Sequence, residues 1–342
     1  MRAAVYRGRG LLAIEDVPRP ADPSANEVQV KVTRAAVCGT DSAEWDHGPV
    51  LAVPPVILGH EFTGEIVAVG SSVTGYQVGD RVVSGAGVSD GTCEWCRSGR
   101  SNLCSSYYTL GLHVDGGLAE YVNVPAATLM AVPGDLSDDA AALAQPQSVA
   151  MHAVRRSGVK PGERLAVIGA GGIGSFIISA ARSLGVEDLI ALDIDVGRLQ
   201  TASKLGASKT VDVSEVDLVD AIRAAGGSEG PHVIIEATGA AHAPAAAFKG
   251  VRRGGRVLLV GLHNAPREID LLSLIVREID VSTTVAHVLA DDLSDSLEVL
   301  RTTDVFDIVL GKVIGLDDLL DAGIRPLAQR RAKGKIIVDV TR

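Results

Sequence analysis

Cysteine, aromatic residues and surplus positive charge are all scarce in this sequence, and each scarcity narrows what the chain can be. There are four cysteines. Cys38 stands alone and Cys93, Cys96 and Cys104 crowd together, a distribution that argues against a secreted disulfide framework and for metal binding. Aromatic residues make up 3%, and 32 basic residues face 42 acidic ones for a net charge of -10. A chain so poor in stacking platforms and basic surface is not built to hold nucleic acid. Uninterrupted apolar runs are also missing: none approaches the roughly 20 residues of a membrane-spanning helix, so no membrane partner is expected. The stretch Met1 to Gly10 lacks an apolar core of signal-peptide length and reads as a first strand, which makes the cytoplasm the expected location.

What is present is the material of an ordinary globular enzyme: 342 residues, 46% hydrophobic, with 38 glycines. That length predicts two domains. The first third carries short β-like runs broken by Gly and Pro, among them Val28 to Val32, Thr63 to Gly70 and Asp80 to Val83, and predicts an irregular β-rich domain. Beyond about residue 150, apolar strands alternate with Ala-rich helical patterns, as in Arg164 to Gly169 followed by Gly174 to Gly185. This α/β texture predicts a doubly wound parallel sheet. A helical pattern from Leu293 to Leu300 and a terminal strand from Gly334 follow, and the strand is expected to return to the first domain. The expected division is 1–150 completed by 287–342, with 151–286 between them.

Gly169-Ala-Gly-Gly-Ile-Gly174 matches G-x-G-x-x-G directly after an apolar strand and at the opening of a helix. There the backbone approaches a pyrophosphate at the helix N-terminus. Gly169, Gly171, Gly172, Ile173 and Gly174 are therefore candidate cofactor contacts, together with Val260 and Gly261 at the end of a later apolar strand. Asp193 ends the next strand about 20 residues on, where a carboxylate accepts hydrogen bonds from ribose hydroxyls and repels a 2′-phosphate. NAD is expected over NADP, with Arg198 the nearby cation that complicates the preference.

Cys38, whose stretch to Asp41 is expected to form a loop after a strand, and the pair His60-Glu61 offer a thiolate, an imidazole and a carboxylate, which zinc accepts while keeping a fourth position open for chemistry. The plainer alternatives are a buried thiol and a surface His-Glu pair. Asp90, Cys93, Cys96 and Cys104 offer four ligands with no vacancy, the pattern of a structural zinc; the alternative is three free thiols in a loop.

Taken together, Gly59-His-Glu-x-x-Gly64-x-Ile-x-x-Val-Gly70, Gly79-Asp-Arg-Val82, the lobe from Asp90 to Cys104 and the Gly169 to Gly174 loop resemble the zinc-containing medium-chain dehydrogenase/reductase family, in particular its sorbitol, threonine and butanediol dehydrogenase-like branch. The resemblance covers essentially the whole chain. It implies a GroES-like catalytic domain built from both chain ends, an inserted Rossmann domain and an active site in the cleft. It also implies zinc and NAD as cofactors, an alcohol or ketone as the small-molecule partner, and a homodimer or homotetramer. Val257 to Val260 is the strand expected to suit pairing across a two-fold axis. By position, Cys38 and His60 bind the catalytic zinc with Glu61 as ligand or exchanging with water, and Thr40 is the hydroxyl that touches the substrate oxygen.

Three positions depart from the family pattern. Asp90 stands where a cysteine is usual. Gln145 stands where the branch often has glutamate near zinc, so it is at most a weak ligand or a partner of zinc-bound water. Ala43 stands where a relay histidine is common, leaving His47 on the same segment, or solvent, to end the proton path. The expected activity is hydride transfer between NAD and a secondary alcohol, diol or polyol. The competing readings are a carbonyl or alkene reductase of the same fold without catalytic zinc, and a non-catalytic zinc- and nucleotide-binding sensor.

Overall fold

The computed structural model describes residues 1–263 and 265–342. The chain divides into two compact units, one formed by Met1–Ser148 with Val288–Arg342 and the other by Val149–His287. Among the described residues, no helix is long and apolar enough to cross a membrane.

The first unit is organised around the ten-residue strand Glu27–Ala36, where Val28, Val30 and Val32 are buried. β-branched residues at alternate positions suit a pleated surface with one face in a core. This strand pairs antiparallel with Phe62–Val69 on one side and, over different residues, with Tyr121–Pro125 and Lys335–Asp339 on the other. Its register shifts near Gln29 and again near Val32, irregularities that let one strand serve three partners. Arg81–Ser84, Leu129–Ala131 and Leu310–Gly315 complete a seven-stranded sheet. The terminal strand does return to the first unit, lying between Glu27–Ala36 and Leu310–Gly315. A three-stranded sheet of Leu11–Asp16, Arg2–Gly8 and Val56–Ile57 stands beside it.

The second unit is a six-stranded parallel sheet in the order Lys209–Asp212, Leu189–Asp193, Leu165–Ile168, Val233–Glu236, Arg256–Leu259, Asp280–Thr283. Numbered along the chain this is 3-2-1-4-5-6, whose reversal beside the first strand is where doubly wound sheets bind dinucleotides. The three central strands starting at Leu165, Leu189 and Val233 are buried throughout, as their unbroken apolar runs require when helices cover both faces.

Two local expectations are corrected. The strand containing Val257 is paired on both sides, so it offers no free ladder for pairing across a two-fold axis; the edges of the sheet are Lys209–Asp212 and, next to the Val257 strand, Asp280–Thr283, whose half-polar sequence gave no such signal. Cys38 to Asp41 is not a loop: Cys38 caps the helix Gly39–His47, with the Asp41 carboxylate accepting a hydrogen bond from the Cys38 amide at 2.8 Å.

Close strand packing sets one test. A Cβ at Gly64 would lie 2.2 Å from the carbonyl oxygen of Lys31 on the paired strand. Gly64→Ala is expected to destabilise the first unit by about 2 kcal/mol through overpacking. A urea midpoint equal to that of the unsubstituted chain would show that the strands part without cost.

Candidate functional site

Three strands of the first unit converge on one buried cluster. The strand Glu27–Ala36 leads into Cys38, Glu61 immediately precedes Phe62–Val69, and Lys335 opens the terminal strand. Backbone hydrogen bonds lock the three ends together: Ala36 N–H donates to the Glu61 carbonyl at 2.8 Å, and Val37 N–H to the Ile336 carbonyl at 2.9 Å. The ligand atoms of Cys38, His60 and Glu61 all lie within 4.8 Å of one another. Asp41, from the helix that Cys38 caps, puts Oδ1 3.7 Å from His60 Nδ1, near enough for its charge to act on the imidazole. Thr40 Oγ1 is 3.6 Å from Cys38 Sγ.

This is expensive chemistry to bury. Asp41, His60 and Glu61 are all buried, and Asp41 Oδ1 and His60 Nδ1 lack hydrogen-bond partners. Orphaned polar atoms around a thiol, an imidazole and a carboxylate fit a zinc ion with three protein ligands and one open position. Lys335, which no motif had singled out, ion-pairs with Glu61 Oε2. Burial lowers the Lys335 pKa, but Glu61 and Cys38 outweigh it and the amine is held above its ordinary value. Burial pushes the Asp41 carboxyl up against the opposing pull of His60 and the Cys38 amide. Burial also works against a charged His60, yet Cys38, Asp41 and Glu61 together push that imidazole up to about 10.

The second cluster lies on the surface of the same unit. Ligand atoms of Asp90, Cys93, Cys96 and Cys104 come within 4.8 Å of one another, and all four cysteines of the chain are free thiols. Asp90 Oδ1 accepts hydrogen bonds from the amides of Thr92 and Cys93 at 2.7 and 2.9 Å, which hold its carboxyl below the usual range. The amides of Asp90 and Ser106 point at Cys104 Sγ from 3.3 and 3.4 Å. Backbone hydrogen bonds from Cys96 and Ser105 lower the Cys93 pKa to about 6, while desolvation and its fellow thiols raise Cys96 to about 11. Four donors without a vacancy suit a structural metal.

In the second unit, Gly169 to Gly174 joins the strand Leu165–Ile168 to the helix Gly172–Ser183, with Gly171 at its N-cap. Gly169 takes φ +94°, and a Cβ at Gly174 would sit 1.8 Å from the Gly169 carbonyl oxygen, so a side chain there cannot be accommodated. Gly171 and Gly172 face open space, apart from Arg198 near the former. Asp193 Oδ2 accepts from the Ala170 amide at 2.7 Å, tying the carboxylate to the glycine loop. Arg198 Nη1 lies 3.8 Å from Asp193 Oδ1. The amides of Val260 and Gly261 donate to the Glu236 carbonyl at 2.8 and 3.1 Å, which places both at the C-terminal ends of adjacent strands. Glu236 is itself fully buried and meets His263 Nε2 at 3.2 Å, a pair the sequence did not reveal.

The remaining candidates are less drawn in. His47 is exposed at the end of its helix and paired with Asp46 at 3.5 Å, about 10 Å along the axis from Thr40 at 1.5 Å per residue. Gln145 is buried in the first turn of Ala144–Ser157, where its carbonyl accepts from Ser148 Oγ.

Two measurements test these sites. His60 must shed its proton to ligate, so metal uptake is expected to release about one proton from the imidazole at neutral pH and to tighten as pH rises toward 10. Calorimetry in buffers of different ionisation enthalpy reads that release, and a buffer-independent heat would contradict the cluster's electrostatics. For the nucleotide loop, Gly174→Ala is expected to weaken NADH binding by about tenfold or more because the loop must open. Unchanged NADH fluorescence titration would remove the loop from the binding site.

Comparison with known proteins agrees with this geometry. Residues 24–134 match the alcohol dehydrogenase GroES-like domain and residues 172–301 the zinc-binding dehydrogenase domain. The chain is 37% identical to a sorbitol dehydrogenase of Bacillus subtilis over 266 residues, which is 77% of this chain and 75% of that one. Its fold matches the crystal structure of 2R,3R-butanediol dehydrogenase from Bacillus subtilis with a TM-score of 0.89 at 31% identity, covering 99% of both chains. A zinc-binding dehydrogenase from Sinorhizobium meliloti, solved with NADP, matches at TM-score 0.90 and 30% identity over 99% of this chain and 98% of that one. With both domains matched and relatives this similar along most of its length, the chain belongs to the zinc-containing medium-chain alcohol dehydrogenase family, as a nicotinamide-linked, zinc-dependent oxidoreductase of the alcohol and polyol class.

Proposed function

We propose that this enzyme interconverts a secondary alcohol, diol or polyol and its ketone with NAD, using Cys38, His60 and Glu61 to hold the catalytic zinc. The observation that carries the reading is the convergence of those three ligand atoms within 4.8 Å in a buried cluster. When bound, zinc supplies Lewis-acid polarisation of the substrate oxygen and the nicotinamide takes up the hydride. The protein's part is to orient and to move a proton. Asp41 lies beside the His60 ring and acts on it through its charge, and Thr40 Oγ1, beside Cys38 Sγ, accepts the hydroxyl proton. With Ala43 in the usual relay position, that proton leaves to solvent. His47 can assist only by way of that solvent, given its exposure and its pairing with Asp46. Gln145 would need no direct bond to zinc, because three ligands would already suffice.

Asp90, Cys93, Cys96 and Cys104 hold the second, structural zinc in this reading. NAD is preferred through Asp193, whose buried carboxylate opposes a 2′-phosphate more strongly than the half-exposed Arg198 attracts one. The protein acts in the cytoplasm, where reducing conditions keep the lobe thiols available for metal. It assembles as a homodimer or homotetramer. The open edge of Asp280–Thr283, with Val281 exposed and Leu271, Leu272 and Ile275 exposed on the preceding helix, supports that assembly.

Metal content and turnover test the proposal together. Two zinc ions per chain, falling to one in Cys38→Ser with loss of NAD reduction on a panel of diols, polyols, amino alcohols and secondary alcohols, is the expected result. Activity and zinc content both retained in Cys38→Ser would overturn the catalytic assignment and favour a reductase without catalytic zinc. NAD binding with silence across the whole panel would favour a sensor.

A further inference from the structure

Lys335 enters the buried cluster from the opposite end of the chain. Its strand runs antiparallel to Glu27–Ala36, pairing Ile337 with Ala36, so that the lysine lies beside the turn into Cys38. The side chain is 11% exposed, its ammonium meets Glu61 Oε2, and Cys38 and Asp41 are near enough to act on its charge. A lysine is rarely buried so deeply without a partner, and here the partner is one of the three candidate metal ligands. One oxygen of Glu61 is thereby committed to a fixed cation.

We propose that Lys335 is a positioning residue that keeps Glu61 a one-oxygen, readily displaced metal ligand. The inference rests on the reading of Cys38, His60 and Glu61 as the catalytic metal site. A carboxylate that shares its charge with an ammonium is a poorer donor to a second cation, and its paired oxygen is not free to close a two-oxygen grip. Cys38 and His60 then form the permanent part of the site, while Glu61 is the ligand that gives way when a substrate oxygen arrives. The buried ammonium also prevents Glu61, once displaced, from being stranded as a lone charge in the interior.

Cobalt(II), which carries zinc's charge and absorbs visibly, reads this without turnover. In the full chain loaded with cobalt, the thiolate-to-cobalt absorption that disappears in Cys38→Ser reports this site and not the surface lobe. Its decay on adding EDTA gives the release rate. Lys335→Met is expected to slow release about tenfold, and Lys335→Arg to stay within about twofold of the unsubstituted chain. In a Glu61→Gln background, Lys335→Met is expected to change nothing, because the effect runs through the Glu61 carboxylate. That double variant removes both charges and so avoids an unpaired buried ion. Lys335→Gln, which keeps a donor on Glu61 and deletes only the charge, gives the same slowing should the Met variant not fold.

Release as fast as in the unsubstituted chain in both neutral variants overturns the proposal. So does equal slowing in the Glu61→Gln background, which would mark a general charge effect. If no absorption depends on Cys38, the metal site itself falls, and this inference with it. A Cys38-dependent band with unaltered release overturns the role of Lys335 alone.

Discussion

Burying ionisable groups is the constraint around which the first unit is arranged. Cys38, Asp41, His60, Glu61 and Lys335 are gathered where three strand ends meet, and water has little access to any of the four charged side chains among them. Several kcal/mol of solvation are forfeited for each ion brought inside, and recovered only through close pairing and hydrogen bonds. The cluster meets that requirement in part: Lys335 pairs with Glu61 and Asp41 faces His60, while Asp41 Oδ1 and His60 Nδ1 stay without a hydrogen bond. A divalent cation that displaces the His60 proton completes the set. Metal affinity and the stability of this region are then two readings of one free energy. The bulged central strand, which lets the two ligand-bearing strands and the terminal strand abut, is what makes the convergence possible.

The two metal clusters of the same unit illustrate how environment divides one donor chemistry into two tasks. In the buried site, charge is the scarce resource, and every ligand has a charged neighbour. At the surface lobe, Asp90 is exposed and only Cys104 is buried, and order comes from the backbone: amides of Thr92 and Cys93 fix Asp90, and amides of Asp90 and Ser106 face Cys104. Placing a carboxylate where a fourth thiolate would stand keeps the negative charge while exchanging a soft donor for a hard one. The turn around Asp90 Oδ1 fixes the carboxylate through the backbone, next to the three thiols.

What could be read from the sequence follows the range of the interactions. Cys38, His60-Glu61, the Asp90 to Cys104 lobe and the Gly169 to Gly174 loop are short patterns in which the chemistry and the spacing are written side by side. Lys335 and Asp41 were not legible as site residues. The lysine lies in an ordinary apolar terminal strand and gains its meaning only when that strand docks beside Cys38. Asp41 looked like part of a loop because Cys38-Gly-Thr carries little helical signal, and it is the capping geometry that turns it toward His60. An edge of the parallel sheet was misread for a related reason: Val257 to Val260 is the more apolar run, but apolarity there reflects burial between two neighbours, while the edge next to it at Asp280–Thr283 carries polar residues.

Cofactor choice shows how a residue that sequence assigns to one role is held by another. Asp193 was read as a ribose-binding carboxylate, yet in the folded chain one of its oxygens accepts the Ala170 amide and the other the Asp195 amide. It therefore shapes the glycine loop before any ligand arrives. Substituting it would disturb the pyrophosphate site as well as the adenosine end, so a loss of NAD affinity in such a variant would not by itself measure the ribose contact. Arg198 is the cleaner discriminator. It is partly solvated, it touches no backbone group of the loop, and its guanidinium sits close to both Asp193 and the open face above Gly171. In the proposed reading, the balance between NAD and NADP is one of a fixed buried anion against a half-exposed cation. A burial difference of that size favours the anion, because the field of a charge is screened far more at a solvated guanidinium than beside a desolvated carboxylate.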